Sequence, residues 1–501
     1  MKTTAVLGLD ALPYWYIGKL REWGQTPHLN KLLENAGALE CIPPITPSSW
    51  PSIMTGVNPG KHGVFSFHHV DRASRQRRLV SSLDLEHPRV HEILSFNGIE
   101  NIMVNPIPDY PIIPVKKSVI ISNMFFTPRP SSHPREYYER YFRGVEGLGE
   151  GNYKEFIVKY VGAIEDMLVE DNGRHGFVWL TLNFPDHEFH KNPRLLDNPA
   201  VSAEVWRGID RLAKYLLDNF DNVFLVSDHG FRFFNFRVSI NDILYNHGFV
   251  VLAKKDEEVA LHDALAQQKG IRTRRVRVPA KLYRLVARLG LEPQARRVFR
   301  FVARLYSRLT GGELVPRTGM PIDYHRSKAY MPESGMYGVY IFDDDVGRDE
   351  VYRILREYKG LRIWKTEELF SGPFTGRGPD IVVVGDHERG YSLGPARVVG
   401  TIYVKTKYHT HDLWGVFGAR TSDGFLEESI RGGLFRNTIV APLVLCSTGV
   451  PVSRHSDDLE LIEKMCPGRV ETAVYTGKFQ VVKSIFKARQ KITSRKRMVN
   501  S

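Results

Sequence analysis

Short, largely apolar runs alternating with helical stretches constrain the fold of this chain more than any other feature. Residues 3–9 (TTAVLGL), 118–121, 176–182 (GFVWLTL), 222–227 (NVFLVS) and 380–384 (DIVVV) have strand length and no polar alternation. Such runs suit strands buried on both faces. Helical patterns over 28–37, 155–170 and 200–219 lie between them. The alternation predicts an α/β fold, a mostly parallel central sheet covered by helices on both faces. In such sheets ligands bind beyond the carboxyl ends of the strands, so the residues just after each run matter most.

Three of these runs end in metal-ligand residue types. Asp10 follows 3–9, Asp228-His229-Gly230 follows 222–227, and 176–182 leads into Asn183 through His190. Asp186 and His190 are four apart, so one helical turn presents them on the same face. Carboxylates and imidazoles together suit Zn²⁺ or Mn²⁺. Taken singly, a strand-end Asp also serves as a helix N-cap. Three such endings in one sheet give the reading its weight. A fourth segment runs Pro43-Pro44-Ile45-Thr46-Pro47-Ser48-Ser49 to Thr55-Gly56, followed by Asn58-Pro59-Gly60-Lys61-His62-Gly63.

With these motifs in order, together with Gly8-Leu9-Asp10 and a late Thr410-His411, the chain resembles the alkaline phosphatase superfamily. Within it the likeness is to the type I phosphodiesterase/nucleotide pyrophosphatase-like branch, and to a group described as predicted phosphohydrolases or phosphomutases. It spans about residues 3–460. The resemblance implies a phosphoric ester hydrolase that cleaves phosphodiesters or phosphomonoesters by in-line attack. Thr46 would be the nucleophile, with Ser48 and Ser49 as the alternatives. Two divalent ions would be its cofactors, zinc or, failing that, manganese. Asp10, Thr46, Asp228 and His229 would hold one, and Asp186, His190 and His411 the other, with His409 as the competitor for the last place. Asn105, Asn123 and His68 are candidate substrate contacts. Segment 101–135 also matches the group and would edge the site.

Departures from the pattern narrow the reading. Pro47 follows Thr46 directly, where relatives have proline one residue later. Phe67 stands where nucleotide pyrophosphatases place a phosphate-binding Asn. No Cys/Ser-x-Pro-x-Arg string occurs at the Thr46 segment, which excludes a sulfatase. A Thr nucleophile and an insertion placed after His229 argue against a phosphomutase. The reading from another class is a degenerate member that binds membrane or polyanion without catalysis.

Composition enters through charge. The chain of 501 residues carries a formal net charge of +13, unevenly placed. Residues 269–317 hold fourteen Lys/Arg against Glu292 and Glu313, a net of +12, and 478–501 hold eight and no acid. The rest is therefore net acidic at −7. The implied division is a core over 1–253, a basic helical insertion over 254–329, a second core part over 330–475 and a basic tail over 476–501. Amphipathic basic helices are expected at 281–289 and 296–309. The partners considered are a phosphoester small molecule or lipid-linked phosphate, and anionic membrane at the periphery, with the alternatives that the basic segments form a lid steering an anionic substrate or pack their apolar stripes on the core or a second subunit. Nucleic acid ranks lower, since no binding motif accompanies the charge. Three scattered cysteines predict neither a disulfide framework nor a thiolate zinc site. Without a clear signal peptide or apolar span, the expected location is cytoplasmic, at most against the inner membrane face.

Overall fold

The computed structural model describes residues 2–123, 127, 129–145, 153–253, 275–278, 313–316, 319–333 and 335–499. The chain divides into two compact units. The first comprises residues 1–64, 80–231 and 411–501, and the second 65–79 and 232–410. These boundaries differ from those suggested by charge, because the second unit takes in 65–79 and the strands after the insertion. The expected helices at 281–289 and 296–309 lie outside the described residues. Within the insertion, Arg275–Val278 pairs in parallel with Glu313–Pro316.

The first unit is built on a nine-stranded sheet. Its strands are β1 (Thr4–Leu9), β2 (Gly37–Glu40), β3 (Asn101–Val104), β4 (Ser118–Ser122), β5 (Ser131–His133), β6 (Phe177–Leu182), β7 (Asn222–Val226), β8 (Trp414–Arg420) and β9 (Leu434–Arg436). Their order is β9-β2-β8-β7-β1-β6-β3-β4-β5. The five central strands β7, β1, β6, β3 and β4 run parallel to their neighbours within that group. β8 is antiparallel to both β7 and β2. Each residue of β1, β6 and β7 is buried, as unbroken apolar runs require when helices cover both faces.

Five helices matter to the site and its surroundings: α1 (Thr46–Thr55), α2 (Tyr153–Asp171), α3 (Phe184–Lys191), α4 (Pro199–Asn219) and α5 (Thr476–Val499). Asn198 caps α4, accepting from the backbone N–H groups of Ala200 and Val201, with Pro199 in the first turn. The apolar stripe of α4 buries Trp206, Ile209, Leu212 and Leu216 in the main core. There Tyr16, Phe189 and Trp206 meet edge-on or tilted, with ring centroids 5.8–6.4 Å apart.

Three expectations need correction. The helix expected over 28–37 ends at Leu33, and Gly37–Glu40 is strand β2 instead. Gly37 has no room for a side chain: a Cβ there would stand 2.8 Å from the carbonyl oxygens of Ile430 and Gly433. The run near 380–384 is a strand, Ile381–Gly385, but of a separate four-stranded sheet in the second unit. It pairs antiparallel with both neighbours there. Burial alone cannot tell a sheet centre of one kind from the other. Finally, Cys446 and Cys466 form a disulfide, their Cα atoms 6.7 Å apart. The chain turns back after helix Val440–Thr448, and helix Leu459–Met465 delivers Cys466 beside it.

Three buried histidines make acid stability predictable. Burial pushes the imidazoles of His62, His87 and His91 down, to about 3, about 4 and about 3. The unfolded chain takes up these protons near pH 6.5 while the folded chain does not. Stability is therefore complete above that value and lost as pH falls, by ~1.4 kcal/mol per pH unit per histidine. Chemical denaturation between pH 7 and 4.5 should show this steep decline; a flat profile would contradict it.

Candidate metal centre

The sheet gathers the candidate ligands by placing β1, β6 and β7 side by side. Asp10 leaves β1, Asp228 and His229 leave β7, and α3 begins at once after β6. His411 comes from the strand Tyr403–Asp412, just before β8. All of these, and Thr46, belong to the first unit.

The turn after β7 is fixed by close packing. A Cβ on Gly230 would stand 2.4 Å from the carbonyl oxygen of Trp414, and one on Gly415 2.5 Å from that of Ser227. Only glycines let the two backbones meet there. Ser227 Oγ donates to the carbonyl of His229 at 2.6 Å, closing the turn. α3 divides its faces: Asp186 and His190 point to the site, while Phe189 is fully buried in the aromatic cluster.

Two groups of ligand atoms converge, Asp10 with Asp228 and His229, and Asp186 with His229 and His411. Within each group all atoms lie within 4.8 Å of one another. His229 Nε2 is 3.6 Å from Asp10 Oδ1 and 3.4 Å from Asp228 Oδ2. Asp186 Oδ1 lies 3.4 Å from His190 Nε2 and 3.3 Å from His411 Nε2. The His229 and His411 rings stack with centroids 4.0 Å apart.

Tautomers follow from backbone carbonyls. His229 Nδ1 lies 3.0 Å from the Gly230 carbonyl, and His411 Nδ1 3.0 Å from that of Pro44. A carbonyl only accepts, so Nδ1 carries the proton in both and Nε2 presents its lone pair inward. Meanwhile Asp10 Oδ1, Asp186 Oδ1 and Asp228 Oδ2 are buried without a hydrogen bond among the described residues. Inward lone pairs beside buried, unbonded carboxylate oxygens are costly unless a cation satisfies them. The donor set thus fits a divalent cation of the zinc or manganese kind.

The electrostatics agree with this. Burial, and then the Asp228 carboxylate, push Asp10 well above the usual carboxylate range. Burial likewise raises Asp228, with the Asp186 charge adding to it. Asp186 is the exception: burial works to raise it, but His190 and His411 outweigh that and hold it well below. His190 is raised against its own burial by the Asp186 carboxylate. Burial and the neighbouring His411 keep His229 well below its ordinary value, hence neutral.

Thr46 opens α1, whose residues are all buried. Its Oγ1 is 3.3 Å from His229 Nε2. Pro47 sits in the first turn, where no amide donor is needed, so the unusual Thr-Pro order costs the helix nothing. Ser49 Oγ instead donates to the Pro43 carbonyl at 3.2 Å, and Ser48 Oγ is buried without a partner among the described residues. The turn at 58–63 holds α1 in place. Val64 N–H donates to His62 Nδ1, so His62 Nε2 carries the proton and donates to Ser52 Oγ at 3.0 Å. Ser52 passes the chain on to the Ser48 carbonyl. Asn58 and Lys61 both bind Asp457.

The remaining candidates lie elsewhere. Asn105, at φ 53, donates to Tyr160 Oη and the Thr181 carbonyl and accepts from Asn123 N–H. Tyr160 in turn donates to Asn123 Oδ1. Asn105 is thereby a buried strand-end brace. His68 belongs to the second unit, its Nδ1 2.5 Å from Glu333 Oε2. His409 packs edge-on against Phe233 in that unit, and it is His411 that reaches Asp186. The bracing of α1 by His62 and Ser52, and of His229 by Gly230, has no signal in residue type alone.

The chain matches the family described as type I phosphodiesterase/nucleotide pyrophosphatase over residues 4–310. No curated protein sequence matches it. Among solved structures, it is similar to phosphonoacetate hydrolase from Sinorhizobium meliloti in complex with phosphonoformate. The TM-score is 0.53 at 14% identity, covering 89% of this chain and 95% of that one. It is similar also to murine ectonucleotide pyrophosphatase/phosphodiesterase 5, in an inactive form with a threonine replaced by alanine and bound to AMP. Here the TM-score is 0.50 at 12% identity, covering 93% and 99% of the two chains. At these identities the likeness is one of fold.

Proposed function

The chain belongs to the type I phosphodiesterase/nucleotide pyrophosphatase family, phosphoric ester hydrolases of the alkaline phosphatase superfamily, and on that premise we propose that it hydrolyses phosphoesters through Thr46 with two divalent ions. The observation that carries the reading is the placement of the Thr46 hydroxyl against His229, the residue shared by both ligand groups. When bound, divalent ions would lower the pKa of the hydroxyl and offset the charge of the phosphoryl group.

Asp10, Asp228 and His229 would hold one ion, and Asp186, His190 and His411 the other. The chain's own part is positioning. α1, clamped through Ser52 and His62, holds Oγ1 at the ligand set. In-line attack forms the Oγ1–phosphorus bond as the bond to the leaving oxygen breaks; water then hydrolyses the phosphothreonine and restores the hydroxyl. The murine relative that is inactive with a threonine changed to alanine supports this role. The net-acidic body and the uninterrupted ligand set disfavour a degenerate binding protein.

The test is a phosphate- and nitrophenol-release screen on the full chain. p-Nitrophenyl phosphate, bis(p-nitrophenyl) phosphate and the p-nitrophenyl ester of TMP would each be offered under Zn²⁺, Mn²⁺ and Mg²⁺. Turnover of at least one, dependent on the added ion and abolished by chelator, is expected. No turnover of any ester by metal-loaded protein would overturn the proposal.

A further inference from the structure

The last helix carries two apolar faces, and among the described residues only one of them is covered. On α5, Phe479 is 1% exposed and packs into the first unit. Beside it Lys483, 2% exposed, binds Glu86 Oε2 and the Leu85 carbonyl, each at 2.7 Å. Gln480 also donates to Glu86. The expected tail is thus not a loose extension but a helix tied down by a buried apolar residue and a buried ion pair.

Val481, Ile485 and Ile492 point the other way and are 58%, 50% and 56% exposed. Their spacing of four and eleven places them within about 40° on a helix. This stripe adjoins a groove of about 1260 Å³ in which Phe96, Val115 and Ile485 meet Lys116, Lys487 and Lys491. From 478 to 501 the sequence has eight Lys/Arg and no acid.

We propose that α5 is a membrane-surface helix that lays its Val481–Ile485–Ile492 stripe into an anionic phospholipid bilayer. Charge decides the occupant. A second copy would bring a second basic helix against the first, whereas an anionic lipid surface neutralises its charge while burying the stripe. No helix among the described residues is long and apolar enough to cross a membrane. The inference stands apart from the catalytic reading, since none of these residues belongs to the metal centre.

The experiment is co-sedimentation of the full chain with vesicles of phosphatidylcholine alone, or with added phosphatidylglycerol, at low and high salt. Binding is expected only to the anionic vesicles, weakening as salt rises. Joint replacement Lys478→Gln, Lys487→Gln and Lys491→Gln should weaken it by about fivefold per residue. Joint replacement Val481→Ser, Ile485→Ser and Ile492→Ser should weaken it at least about tenfold. Circular dichroism should be unchanged in both variants, as the buried face is untouched. Equal binding to neutral vesicles, or no binding at all, would overturn the proposal. So would anionic binding undiminished in either variant, which would place the contact elsewhere. Loss of a dimer in the serine variant, without vesicle binding by the wild type, would give the stripe to a second copy instead.

Discussion

Replacing Thr46 by alanine should reduce phosphoester turnover by at least about 10⁴-fold while leaving the fold and the metal content in place. The magnitude follows from the role: a nucleophile that forms a covalent bond has no partial substitute within reach. Ser49 Oγ is held by the Pro43 carbonyl, and among the described residues nothing ties Ser48 Oγ to the ligand set. Stability should change little, because Thr46 lies in the first turn of α1 and that helix is clamped further along by Ser52 and His62. Thr46→Ser should retain part of the activity, since it keeps the hydroxyl. The measurement is kcat for the wild type and both variants under saturating metal, with metal content by elemental analysis. Alanine and wild type turning over alike would remove Thr46 from the chemistry.

Asp10→Asn should have opposite effects with and without metal. In the metal-free protein burial raises both Asp10 and Asp228, with the Asp228 carboxylate adding to the rise of Asp10 and the Asp186 carboxylate to that of Asp228. Their folded pKa values lie above the unfolded ones, so their charged forms oppose folding as pH rises. Removing one carboxylate relieves that, and metal-free Asp10→Asn should melt higher than metal-free wild type at pH 8. With saturating Zn²⁺ or Mn²⁺ the order should reverse. The wild type gains about 2.7 kcal/mol at a metal concentration 100 times its dissociation constant, a gain the variant largely loses. Activity should fall with the lost ion. Binding must also displace protons from the Asp pair and from His190, which Asp186 holds raised. Apparent metal affinity should therefore weaken as pH falls from 8 to 6. Thermal melts with chelator, Zn²⁺ or Mn²⁺ across that range check both signs. A variant stabilised by metal as strongly as the wild type would rule Asp10 out as a ligand.

Much of this was legible because burial and chemistry coincide in a parallel sheet. The unbroken apolar runs at Thr4–Leu9, Phe177–Leu182 and Asn222–Val226 became adjacent central strands, and the residues after each run had to emerge at one end of the sheet. The i, i+4 spacing of Asp186 and His190 survived as one face of a helix. Other elements carry no such mark. Gly37–Glu40 is too short to distinguish from a helix end, and its strand character comes from pairing with Trp414–Phe417, far along the chain. The Cys446–Cys466 link depends on a helix return that cysteine spacing does not encode. The Asn105 pattern suggested a contact to substrate, but its amide is taken up by Tyr160, Thr181 and Asn123. The tail read as uniformly basic, yet Lys483 is a buried anchor to Glu86. Charge count could not separate that lysine from the seven others.

The central claim is that Thr46 takes the phosphoryl group at a metal centre built from the ends of β1, β6 and β7. Acid-quenching the metal-loaded enzyme during turnover of whichever ester it hydrolyses, and mapping the phosphoryl adduct on its peptides by mass spectrometry, tests this most directly. Thr46 should carry one phosphoryl group, absent without metal and absent in Thr46→Ala. Steady hydrolysis with no phosphate on Thr46, and undiminished in Thr46→Ala, would contradict the account.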